Sequence, residues 1–86
     1  MNYKVFRFEN LSQNADGLWA GHLTNTLLIL KVEGELDAND LCSKLQKEKI
    51  IPYSTTRKVT VSDLSKDIIL IYKKDNGMPI CRLERC

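Results

Sequence analysis

Apolar residues recur along this chain at two different periods, and the change of period divides it into elements. Between Leu36 and Pro52, Ala38, Leu41, Cys42 and Leu45 fall at three- and four-residue spacing, with Lys49 continuing the row loosely. That repeat predicts a helix with a single apolar stripe, and the stripe demands a partner surface. Asp37 suits the N-cap, where its carboxylate accepts from free N–H groups of the first turn, and Asp40 adds negative charge at the positive end of the helix dipole. Lys44, Lys47 and Lys49 bias the far end toward positive charge, and Pro52 is expected to end the helix.

Elsewhere the period is two. Tyr3–Phe8 alternates as a strand, with Tyr3 and Val5 on one side and Phe6 and Phe8 on the other. Residues 9–17 are rich in turn formers and end at Asp16-Gly17, so a surface loop is expected. Residues 18–25 read as a further stretch of strand. Thr26–Glu33 is the densest apolar run, with Leu27 and Ile29 on one side and Leu28, Leu30 and Val32 on the other, a pattern suited to the middle of a sheet. Lys58–Asp63 alternates Val59 and Val61 with Thr60 and Ser62.

The closing segment predicts a hairpin, because Asn76-Gly77 is the preferred pair for a two-residue type I′ loop. That loop would set Asp75 opposite Met78, Tyr72 opposite Cys81 and Leu70 opposite Leu83. Leu70, Tyr72, Cys81 and Leu83 would then share one face, and Ile69, Ile71, Lys73, Ile80, Arg82 and Glu84 the other. Pro79 would direct its missing N–H away from its partner, which marks 78–85 as an edge strand. The expected fold is α+β: one helix packed on one face of a four- to five-stranded, largely antiparallel sheet, in the order β-β-α-β-β-β, over residues 1–86 as a single domain. The helix stripe is expected to pack on Leu28, Leu30, Val59, Leu70 and Leu83.

Composition narrows the function classes. The hydrophobic fraction of 43% with 28% charged residues is that of a globular domain. No apolar run approaches the roughly 20 residues of a membrane span, so a cytoplasmic protein without membrane contact is expected. Cys42, Cys81 and Cys86 form no C-x-x-C pair and are read as reduced thiols. The four glycines form no phosphate-binding loop, and His22 is the sole histidine. Catalysis by His22 would need Ser12, Ser54 or Cys86 beside it. Asp37 and Asp40 are explained by the helix start. The expectation is a non-enzyme with no cofactor and no metal.

Two binding functions from different classes remain. In the first, the helix covers one sheet face only, and Ile69, Ile71, Lys73, Ile80 and Arg82 form a partner-binding patch for a protein or ribonucleoprotein, with a homodimer possible through edge strand 78–85. In the second, the basic C-terminal sheet binds nucleic acid. The whole chain carries +2, but residues 57–86 hold seven Lys/Arg against four Asp/Glu. The candidate phosphate contacts there are Arg57, Lys58, Lys66, Lys73 and Lys74, and Lys4, Phe6 and Phe8 offer a stacking surface.

A strand, a helix opened by Asp-Ala-Asn-Asp-Leu, a strand Lys-Val-Thr-Val-Ser and a hairpin Ile-Leu-Ile-Tyr-Lys-Lys-Asp-Asn-Gly-Met-Pro-Ile-Cys together resemble the layout of very small phage-encoded proteins, some anti-CRISPR inhibitors among them. The likeness covers residues 26–84 and shares no residue motif, so no site residue carries over. It implies an inhibitor that works by occupying a site on a large protein or ribonucleoprotein target.

Overall fold

A computed structural model describes all residues from Met1 to Cys86. Six strands and one helix follow in the order β1 (Asn2–Gln13), β2 (Trp19–Leu23), β3 (Leu28–Lys31), α1 (Ala38–Lys47), β4 (Val59–Val61), β5 (Ile68–Lys73) and β6 (Pro79–Arg85). All pairings are antiparallel, in the spatial order β2-β1-β6-β5-β4, with β3 on the same strand β1 that holds β2. The fold is α+β as expected, with six strands.

β1 organises the sheet. Its first half pairs on both sides, Tyr3 with Leu30 of β3 and Val5 with Leu83 of β6. Its second half, expected to be a loop, continues as a strand to Gln13 and pairs with β2. The resulting two-stranded arm bulges once: Asn10 takes φ 55° between the pairs Glu9–His22 and Ser12–Ala20. Asparagine tolerates that left-handed conformation better than most residues. Gly21 lies opposite, where a Cβ would stand 2.8 Å from Leu11 Cδ2 and 2.9 Å from the Glu9 carbonyl oxygen. The arm ends in a turn held by Asn14, whose side chain accepts from the N–H groups of Asp16 and Leu18. β3, expected mid-sheet, pairs with β1 alone and leaves Ile29 half exposed.

Helix α1 starts as its cap residue dictates, the Asp37 carboxylate accepting from the Asn39 and Asp40 N–H groups. It stops before Pro52 acts. Lys49 adopts φ 60°, its N–H donates to the Gln46 carbonyl, and the Ile50 N–H donates to the Leu45 carbonyl at 2.9 Å. These two bonds make a Schellman turn, and Ile50 and Leu45 bury the apolar contact that accompanies it.

Leu41, Cys42 and Leu45 bury the helix stripe against Tyr3, Val5, Leu30, Val59, Ile69, Ile71, Cys81 and Leu83. The hairpin register here corrects the sequence expectation. Ile69 faces Leu83 and Ile71 faces Cys81, yet Tyr72 faces Pro79. Ile80 is therefore an extra residue in β6, and this bulge exchanges the faces of β5, because side chains alternate with a period of two. Ile69 and Ile71 are fully buried, Ile80 packs against the core, and Leu70 moves to the opposite face. The loop differs as well: Lys73 N–H donates to Met78 O and Gly77 N–H to Lys73 O, so residues 74–77 make a four-residue turn with φ 71° at Gly77. β6 is flanked by β1 and β5 and is not an edge. Pro79 is tolerated because it opens the strand beside the bulge.

Candidate functional site

Two surfaces stand out, a broad sheet face and a cleft at the β4–β5 end of the sheet. The first is the face without the helix. Its side chains form rows across neighbouring strands: Ile29, Lys4, Glu84 and Ile68 in one, Phe6, Arg82 and Leu70 in the next, then Tyr72 beside Thr60. Phe8 follows on the same side of β1, paired with Leu23. Ile29 is 52% and Ile68 46% exposed, while Phe6, Phe8, Leu70 and Tyr72 are half-buried by their neighbours. Arg82 donates to Glu84 at 2.8 Å, and its Nε is buried without an acceptor. β2 pairs with β1 on the edge away from β6. Leu18 is exposed, and the Trp19 indole N–H donates to the Asn76 carbonyl oxygen at 3.1 Å, tying the arm to the β5–β6 turn.

Of the five residues expected to form a partner patch, Ile69 and Ile71 are core, Ile80 packs on the core, Lys73 lies on the helix side, and only Arg82 belongs to the open face. They do not form one surface. The strand-borne group Lys4, Phe6 and Phe8, in contrast, does share the open face.

The second surface is a shallow cleft of about 420 Å³ at the β4–β5 end of the sheet, lined by Tyr53, Arg57, Lys58, Lys73, Lys74 and Asp75. Four of the five cations expected to meet nucleic acid therefore converge, while Lys66 sits apart in the exposed turn after Asp63. The ladder brings them together: Lys73 pairs with Val59, and the Lys74 N–H donates to the Lys58 carbonyl at 3.0 Å. The remaining wall, residues 53–57, is pinned to α1. Asn39 Oδ1 accepts from both the Thr56 N–H and its hydroxyl at 3.0 Å, and the Ser43 hydroxyl donates to the Ser54 carbonyl at 2.8 Å. Asp75 is the single acid in the cleft, 3.9 Å from Lys73. Tyr53, Asn39 and Ser43 were not anticipated from sequence; the Ser54-Thr55-Thr56 run following Pro52, with polar residues on the helix face it meets, was the available signal.

The titrating groups fit a chain held by packing. Burial pushes the Cys81 thiol up to about 12, with Arg7 opposing and Cys42 reinforcing the shift, and burial also raises the Cys42 thiol. Both cysteines act as small core residues, and Cys86 is the exposed thiol. Asp63, in contrast, is held below the usual carboxylate range by hydrogen bonds from the Ser65 N–H and hydroxyl. His22 is exposed on β2 opposite Glu9. No three His, Cys, Asp or Glu side chains converge as a metal cage requires, and no helix is long and apolar enough to cross a membrane.

Comparison of the chain with protein-family models, with curated proteins and with solved structures gave no match.

Proposed function

We propose that this protein acts without catalysis, by binding another protein on the sheet face opposite its helix. One observation carries the reading: the single helix and the segments flanking it shield one side of a six-stranded sheet, and the other side leaves Ile29 and Ile68 about half exposed beside Phe6, Phe8, Leu70 and Tyr72. Charge is interleaved with these apolar side chains, Lys4 and Glu84 lying between Ile29 and Ile68 and Arg82 between Phe6 and Leu70, so the face offers apolar contact and polar pairing together, as protein interfaces do. The aromatic and arginine content matches the residue types that dominate binding energy at such interfaces. The layout resemblance adds a narrower proposal, that the partner is a protein or ribonucleoprotein which the chain inhibits by occupying its working surface.

The test is affinity capture from nuclease-treated lysate of the source cells, comparing the natural chain with Ile29→Asp/Ile68→Asp. Both side chains are exposed, so the variant should keep its thermal midpoint within a few degrees and lose the captured protein. Capture that survives the double substitution rules the face out. Sedimentation showing a dimer of the chain that the same substitutions dissolve would identify the occupant as a second copy and overturn the proposal of a distinct partner.

A further inference from the structure

We infer that the cleft formed by Tyr53, Arg57, Lys58, Lys73, Lys74 and Asp75 binds the phosphodiester backbone of a nucleic acid. Its local charge is +3, from four cations and one carboxylate, whereas the whole chain carries +2, so the rest of the molecule is at −1. The cleft carries the highest local charge of the surface concavities, against +2 where Lys31, Lys44, Lys47 and Glu48 meet. Folding has assembled it from two separate stretches of sequence, residues 53–58 and 73–75, and the like charges brought together repel, a repulsion that a polyanionic ligand relieves. Asp75 supplies little of the former: it is 3.9 Å from Lys73 and its side chain is 71% exposed. Arg57, Lys58 and Lys74 are exposed and make no ion pair.

The shape favours a chain over a small molecule. The cleft is shallow and open, with no segment closing over it, so a bound polymer can enter and leave along it. Its walls are nonetheless fixed, on one side by the β4–β5 ladder and on the other by the Asn39 and Ser43 hydrogen bonds to residues 54–56. Little ordering is lost when a ligand arrives. Arginine offers a planar fork to phosphate and the three lysines act as point charges, while the cleft has little to read base edges with. Binding is accordingly sequence-independent and strongly salt-dependent.

Fluorescence anisotropy with labelled 20-nucleotide single-stranded DNA, RNA of the same sequence and the corresponding duplex measures this directly, and the three arms identify which backbone is preferred. With three to four phosphates neutralised, single-strand affinity should fall about 20- to 50-fold between 50 and 200 mM salt. Arg57→Glu/Lys74→Glu should weaken binding at 50 mM salt by about tenfold or more and flatten the salt dependence. Arg57→Gln/Lys74→Gln should give a smaller loss in the same direction. The control is Lys31→Glu/Lys47→Glu, which makes the same change of net charge at a different surface lined by Lys31, Lys44, Lys47 and Glu48. Its effect should be several-fold smaller. No binding at 50 mM salt, equal losses in the two reversal pairs, or equal competition by polyglutamate of matched charge would each overturn the assignment.

Discussion

Lys49 occupies a conformation that lysine adopts at a cost. A side chain with a Cβ pays about 1–2 kcal/mol in the left-handed region, and here the helix end requires it, since the Ile50 and Lys49 N–H groups must reach back to Leu45 and Gln46. Lys49→Gly should therefore stabilise the protein by about 0.5–1 kcal/mol in chemical denaturation, the relief outweighing glycine's extra unfolded-state entropy. The thiols make a second residue-scale prediction. Cys42 and Cys81 are sealed in the core and Cys86 is exposed, so iodoacetamide at pH 8 should modify Cys86 alone in the folded protein and all three thiols in denaturant. Because folding raises the Cys81 thiol to about 12, the unfolded chain ionises first as pH rises, and this residue's contribution to stability is full below about pH 9 and declines from there to about pH 12. Cys81→Ala should remove that part of the alkaline decline, visible as a flatter stability profile above pH 9.

At the scale of elements, the helix, the alternation of β1 over residues 3–8 and the strand character of β3, β4, β5 and β6 were legible in the sequence, because each rests on local periodicity. The Asp37 cap and the Leu41–Cys42–Leu45 stripe stand where the spacing puts them. What was not legible was the parity between β5 and β6. A two-residue Asn76-Gly77 loop and the observed four-residue turn both place Tyr72 opposite an odd-numbered residue; only the bulge at Ile80 brings Ile69 and Ile71 to the same face as Cys81 and Leu83. Pro79 carried the clue, since proline within a sheet marks a bulge as readily as an edge. The partner patch is broken up by the register, whereas Arg57, Lys58, Lys73 and Lys74 lie together, because Lys58, Lys73 and Lys74 sit at strand ends whose pairing does not depend on that parity. One half of the arm was hidden by its composition: residues 9–13 look like a loop, whereas residues 18–25 read as strand, and Asn10 and Gly21 both serve the bulge at the arm's centre. Gly21→Ala sets a methyl against Leu11 and the backbone of Glu9. It should speed amide exchange in β2 well before it affects β5 and β6, whereas uniform acceleration would show that the arm and sheet unfold together.

The whole molecule measures 42 × 27 × 23 Å. The long axis is close to the ~40 Å that twelve residues of β1 span at about 3.3 Å each. With one helix to cover so wide a sheet, the chain builds a single core and leaves the other side without a second layer, and both proposed surfaces follow from that imbalance: a partly apolar face where no layer was laid down, and a cationic cleft at the margin of the layer that was. The separation predicts independence. Ile29→Asp/Ile68→Asp should leave nucleic-acid affinity within about twofold, and Arg57→Glu/Lys74→Glu should leave protein capture intact. The division itself is tested most directly by two neighbouring isoleucines assigned to opposite sides. Ile68 is 46% exposed and Ile69 fully buried. Followed by Trp19 fluorescence, thermal unfolding of Ile68→Asp should begin within about 2–4 °C of the natural chain, while Ile69→Asp, with an unpaired charge in the core, should lower the midpoint by roughly 15 °C or abolish folding. Equal losses, or the larger loss at Ile68, would contradict the account.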